Sequence, residues 1–177
     1  MPVKIVWPAV AATVAPNIGC FIVGYFIKGN IRWYESLKKP SWTPPTWLFG
    51  PVWIVLYSTL GYSSYMVWRD GGGFEGASLP LTTYALNIVL NWSWVPLMFG
   101  TRHIKWALYE YAALCTNTAA LLITFHDVNP IAGYLNIPYM CWNIFAMTLN
   151  YFIYRDNKQI PADEEVAAEK VKEVAFS

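Results

Sequence analysis

Charge is what this sequence has least of. Lys, Arg, Asp and Glu make up 13% of its 177 residues, about half the roughly 25% of an average soluble domain, which points away from a water-facing surface. Histidine is nearly as scarce. His103 and His126 are the two present, and both stand at the ends of apolar runs, so none is placed to ligate haem iron from an apolar interior. Cys20, Cys115 and Cys141 fall inside apolar runs without metal-site spacing and read as small buried hydrophobes rather than a disulfide framework. Gly71-Gly72-Gly73 belongs to no GxxxxGK[ST] pattern and follows no strand, so a phosphate-cradling loop is unsupported. No inverted repeat is detectable, which with the missing nucleotide motif argues against a powered or alternating-access transporter.

What remains is apolar. Hydrophobic residues are 56% of the chain and the mean hydropathy is +0.32. Five apolar windows, at about 5–27, 46–68, 79–99, 104–125 and 131–154, each approach the ~20 residues that cross a hydrocarbon core. The expected fold class is therefore all-α: an integral membrane protein with a bundle of five transmembrane helices in one domain over 1–157. A solvated, charged tail at 158–177 follows. The first window lacks a basic leader and a small-residue cleavage site, and is expected to be retained.

Between the first two windows lies RWYESLKKPSWTPPTWLFGPVW, residues 32–53. Pro40, Pro44, Pro45 and Pro51 forbid a regular helix until the last of them, which takes the tolerated first-turn position of the second span. Trp33, Tyr34, Trp42 and Trp47, set among Arg32, Lys38 and Lys39, have the chemistry of a membrane interface. Such a stiff connection can lie over the mouth of a bundle.

Polar residues inside the windows mark its interior. Tyr84, Asn87, Asn91 and Trp94 share one helical face, and amides at membrane depth need partners, so that face should point inward, either to neighbouring helices or to a ligand. Asn91-Trp92-Ser93 matches a glycosylation acceptor, but inside a span it is a false positive. Trp106, Glu110, Ala113 and Asn117 share a face of the fourth window. Glu110, the only carboxylate well inside a window, has no partner acid, base or nucleophile. In the fifth window Trp142, Ala146 and Leu149 share a face, with Asn143 and Asn150 on another; Ala146 beside Trp142 could line a flat pocket.

With an odd number of spans, Lys28, Arg32, Lys38, Lys39, Arg102, Lys105, Arg155, Lys158, Lys170 and Lys172 fall on one side, against Lys4 and Arg69. That asymmetry predicts a cytosolic C-terminus.

The stretches WYESLKKPSWTPP at 33–45, PVWIVLYSTLGYSSYMVW at 51–68, LNWSWVPLMFGTR at 90–102 and AMTLNYFIYRDN at 146–157 together resemble the translocator protein family, also called the peripheral-type benzodiazepine receptor or tryptophan-rich sensory protein family. FGTR and YRDN are similar to animal members, which implies the mitochondrial outer membrane. The resemblance implies a five-helix bundle, commonly a homodimer, with a pocket beneath the first loop for porphyrins, benzodiazepine-site drugs and related flat apolar molecules. It places ligand contacts at Trp53, Asn91, Trp94, Trp106, Trp142, Ala146 and Leu149. Val23, Phe26, Phe49, Gly50, Tyr109 and Ala113 also match ligand positions but differ from the residues common in animal members; bulkier Phe26, Phe49 and Tyr109 could narrow the pocket.

Leu149, Tyr151 and Arg155 fit a proposed cholesterol pattern that is weak by itself, since an aromatic and a basic residue at a helix end are ordinary interface anchors. The resemblance turns cholesterol binding into an expectation. The leading function is then binding of cholesterol and tetrapyrroles in a lipid bilayer, associated with their transport or sensing. Trp53 and Trp142 would stack on the ligand, and Arg32, Lys38 or Lys39 would meet porphyrin propionates at the mouth. No cofactor is required, and protoporphyrin or haem would be held without a histidine axial ligand. No conventional catalytic constellation, metal site or nucleic-acid signal is present. Two alternatives stand beside this one: tryptophan-dependent photodegradation of protoporphyrin, and an interaction scaffold without transport.

Overall fold

The computed structural model describes residues 5–158, with the backbone alone at 21–23. Lys4, the side chain of Val23 and the tail beyond residue 158 lie outside the described residues. Those described are helical with connecting turns.

The first window is not one helix. Helix α1 (Trp7–Val14) passes through a tight 3-10 turn, Ala15–Ile18, into α2 (Gly19–Ser36). Pro16 sits in that turn, where its missing N–H is least damaging. The turn redirects the chain. Helix α1 lies along α3 (Thr46–Asp70), whereas α2 packs on α5 (Ser78–Val95) and the segment after it. Gly61 of α3 permits the first contact: a Cβ there would stand 2.1 Å from the carbonyl oxygen of Ala12.

Helix α3 starts earlier than the prolines suggest. Its boundary is set by extended Pro45, and Pro51 lies inside the helix rather than in its first turn. So close to the N-terminus, Pro51 forfeits only one intrahelical bond. A one-turn helix, α4 (Gly73–Gly76), leads to α5. At Pro96 the third window widens into a π-type turn, Pro96–Gly100, closed by Thr101 N–H donating to Pro96 O at 2.9 Å. The fourth window is one helix, α6 (Ile104–Val128), packed between α5 and the last helix. The fifth is split at Asn136 into α7 (Pro130–Leu135) and α8 (Ile137–Asp156). Pro138 explains the break, because it cannot donate back into the preceding turn. The Asn136 amide instead bonds Ala132 O at 2.8 Å and Ser63 Oγ at 2.7 Å.

Polarity is arranged inside out. Asn87, Asn91, Asn136, Asn143, Thr118 and Ser63 are buried, while Val55, Val89, Ile123 and Ile144 face outward. Water would favour the reverse, and a hydrocarbon solvent favours this. Among the described residues no helix is both long and apolar enough to cross a membrane. The inward amides, hydroxyls and proline breaks dilute the hydropathy of the long helices.

Trp33, expected at an interface, is a core residue. It is buried beneath the Arg102 guanidinium, 5.6 Å from its ring centroid, and meets Phe99 edge-on at 6.3 Å. The rest of this cluster is Leu37, Val95, Met98, Ala107, Leu149 and Ile153.

Candidate functional site

Because α2 turns away from α3, a cleft opens between them and deepens toward α5. Its outer part is a cavity of about 330 Å³, within the size range of small-molecule pockets, bordered by Cys20, Gly24, Ile27 and Ile31 of α2 and Phe49, Gly50, Trp53, Ile54 and Tyr57 of α3. Asn91, Trp94 and Tyr111 close its far side. A smaller inner cavity of about 60 Å³ adjoins it and is bordered by Met98, Ala146, Leu149, Asn150 and Ile153. Tyr34, Phe49, Trp53, Trp94 and Tyr111 border both.

The walls are braced by ring contacts. Trp53 lies 5.2 Å from Tyr57, 6.3 Å from Tyr139 and 6.4 Å from Trp142, measured between centroids. Trp94 meets Tyr111 edge-on at 5.5 Å. Trp42 of the first loop packs on Phe145 and Phe152, and Phe145 in turn on Trp142. The loop is thereby coupled to the pocket wall through rings alone. Edge-on and offset pairs of this kind each add roughly 0.5–1.5 kcal/mol beyond their buried area.

Behind the walls runs a buried hydrogen-bond chain. Tyr57 Oη donates to Asn91 Oδ1 at 2.5 Å, Asn91 Nδ2 to Tyr139 Oη at 2.7 Å, and Tyr139 Oη to Asn87 Oδ1 at 2.7 Å. Asn87 Nδ2 continues it to Asn117 Oδ1 and Thr118 Oγ1, at 2.9 and 3.0 Å. Asn143 Nδ2 joins at Thr118 Oγ1, 3.2 Å away. Helices α3, α5, α6 and α8 are tied together by it. Asn91 borders the outer cavity, yet both of its amide atoms are already spent on neighbouring helices.

Of the residues singled out from the sequence, Trp53, Asn91, Trp94, Phe49, Gly50, Ala146 and Leu149 come together around the two cavities. Trp142 stands behind Trp53 and Phe49, in ring contact with both. Phe26 packs against Tyr25 and Gly100, away from the cavities. Trp106, Tyr109 and Ala113 face outward on α6, the first two in edge-on contact at 5.8 Å. Glu110, on the same helix, accepts a bond from Ser93 Oγ at 3.2 Å.

The three cations Arg32, on the last turns of α2, and Lys38 and Lys39, on the loop after it, have separate surroundings. Lys39 Nζ donates to the carbonyls of Tyr34, Glu35 and Leu37, closing the C-terminal end of α2. Lys38 and Arg32 keep exposed side chains. On α8, Leu149 points inward, whereas Tyr151 and Arg155 face outward, with the guanidinium 4.5 Å from the Phe152 ring centroid and paired to Asp156. One surface cannot be built from all three, because positions two apart on a helix face opposite ways.

Sequence reasoning did not assign Tyr34, Met98, Tyr111 or the α2 residues Cys20, Gly24, Ile27 and Ile31 to the site, and it placed on a different face from Ala146 and Leu149 a residue that borders the same cavity as both, Asn150. The last was legible: 146, 149, 150 and 153 follow the i, i+3, i+4, i+7 pattern of one face.

A model of the TspO/MBR family matches residues 11–155. The chain belongs to that family. It is 46% identical over 152 residues to the Translocator protein of Homo sapiens, covering 85% of this chain and 90% of that protein. Identity to the Bos taurus Translocator protein is 44% over 153 residues, 85% of this chain and 90% of that one. Protein CrtK of Rhodobacter capsulatus matches at 34% over 125 residues, 71% of this chain and 78% of CrtK. TspO/MBR proteins are integral membrane proteins, in keeping with the inverted polarity of this bundle.

Proposed function

We propose that the paired cavities bind flat, largely apolar molecules, tetrapyrroles foremost, and that the protein serves sterol and tetrapyrrole transport or sensing by binding rather than by conventional catalysis. The observation that carries this reading is the position of Trp53, which borders both cavities and is braced by Tyr57, Tyr139 and Trp142. A rigid aromatic wall opposite Trp94 offers a slot for a planar ligand. Lys38 and Arg32, at the loop end of the cleft, are the cations for propionates, and Lys39 is committed to its carbonyls.

Cholesterol has a separate place in this reading, the outward face of α8 at Tyr151 and Arg155. Five crossings are supplied by α1 with α2, α3, α5, α6, and α7 with α8, in one domain. The asymmetry of lysine and arginine supports a cytosolic C-terminus, and the likeness to animal relatives supports the mitochondrial outer membrane and a homodimer.

Titration of nanodisc-held protein with protoporphyrin in the dark tests the pocket. The Trp53→Phe, Trp142→Phe double variant should bind at least tenfold more weakly, and parent-like affinity would overturn the reading. A second reading, light-driven breakdown of protoporphyrin, is favoured by the 6.4 Å edge-on pair of Trp53 and Trp142 beside the cavity. It requires product that accumulates only under illumination and disappears in the same variants.

A further inference from the structure

Asn150 is 2% exposed, and neither its Nδ2 nor its Oδ1 has a hydrogen-bond partner among the described residues. The amides of the central chain, by contrast, are engaged. Asn87 and Asn91 each use both amide atoms, and Asn143 donates to Thr118. An unpaired buried amide is costly, and a side chain that can make several bonds is a poor choice for mere packing at a helix contact.

The location gives that cost a use. Asn150 borders the inner cavity from α8, one turn from Ala146 and beside Leu149, while Trp94 borders it from α5 with its own indole N–H buried and unpartnered. The remaining border is Tyr34, Phe49, Trp53, Met98, Tyr111 and Ile153, with no cation among them. An anion entering there would meet no countercharge, so a carboxylate is disfavoured. A neutral group that both accepts from Nδ2 and donates to Oδ1 would satisfy the amide on both sides.

We propose that Asn150, aided by the Trp94 indole N–H, forms a polar subsite in the inner cavity for the neutral end of a ligand, a hydroxyl or a primary amide. The inference rests on the reading that the two cavities bind flat apolar molecules, and it adds the chemical class of the ligand's buried end. The planar body lies in the outer cavity against Trp53, the neutral donor–acceptor tip reaches Asn150, and any carboxylates stay at the mouth. At about 60 Å³ the inner cavity admits a small head group rather than another ring system.

Four flat probes that differ in one substituent provide the test: 2-naphthol, 2-naphthamide, 2-methoxynaphthalene and 2-naphthoate, titrated calorimetrically into the nanodisc-held full chain. The naphthol and the amide should bind at least tenfold more tightly than the ether, which can only accept, and than the anion. Asn150→Leu removes the amide at similar volume. It should erase that preference without lowering thermal stability, since an unpaired buried amide is replaced by an apolar group, and Asn150→Ala gives an independent check on the lost preference. Equal binding of naphthol and ether by the parent, or a preference that survives in both variants, overturns the subsite and leaves the pocket intact. Binding of none of the four overturns the subsite and the pocket together.

Discussion

Asn157 holds the backbone of Lys38 on both sides: its Oδ1 accepts the Lys38 N–H at 3.0 Å, and its Nδ2 donates to the Lys38 carbonyl at 2.9 Å. The two residues are 119 positions apart. The first loop is thus fastened to the end of the last described helix at the site where its prolines leave backbone groups without helical partners.

Replacing Asn157 with Ala should release this fastening. Two partly buried backbone groups lose their partner, at about 1–3 kcal/mol in total. The expected result is a lower melting temperature together with faster proteolytic cleavage within residues 37–45. An unchanged cleavage rate would show that the aromatic contacts of Trp42 hold the loop by themselves.

The buried chain of amides and phenols should respond as a unit. Tyr139→Phe leaves Asn91 Nδ2 and Asn87 Oδ1 unpaired, and a destabilisation of roughly 1–3 kcal/mol is expected. Asn91→Leu should cost a similar amount. Since the two share one bond, the double variant should be less destabilised than the sum of the singles, as a double-mutant cycle on reversible unfolding would reveal. Strict additivity would count against coupling.

Gly61 sets how closely α1 approaches α3. Gly61→Ala places a methyl where backbone stands only 2.1 Å away, so the helices must separate, with an expected loss of about 1–3 kcal/mol. Thermal denaturation checks this. A loss no larger than the few tenths typical of a surface exchange would mean that α1 is held less firmly than its packing implies.

Acid should loosen the C-terminal end of α3. Asp70 is bonded by Arg69 and by Asn129 Nδ2 at 2.6 Å, and these contacts, the arginine foremost, bring its pKa down to about 2. A carboxylate with a depressed folded-state pKa stabilises the fold above its ordinary value near 4 and loses that contribution as pH falls from about 4 toward 2. Protection of the amides at 129–132 against exchange, relative to their intrinsic rate at each pH, should therefore fall across that window, where Asn129 caps α7, and Asp70→Asn should abolish that loss.

Much of the fold could be read from the chain because apolar windows and proline positions are local signals. The inward direction of Asn87 and Asn91 followed from solvation alone, since an amide facing lipid would be unpaired. Tertiary choices were less legible. Nothing local told Trp33 to enter the core, because the Arg102 that covers it is far away in sequence. Likewise Lys39 looked free to meet a ligand until the end of α2 supplied three carbonyls. Trp106 and Trp142 are equally aromatic in the sequence, yet one faces outward and the other braces the pocket, a difference fixed by helix rotation.

Helix rotation is also where the amide chain matters beyond its strength. Leucine against leucine and leucine against lipid are nearly equivalent, so an apolar bundle in a bilayer has little reason to prefer one angular setting of its helices over another. The sequence from Tyr57 through Asn91 and Tyr139 to Asn87 is directional, each group donating a hydrogen bond to the next acceptor. Turning α3 by one residue, about 100°, would break its link to Asn91, and turning α8 would break two at once. The chain acts as a phase lock, and the pocket keeps its shape because its walls are geared to a polar axle that cannot slip.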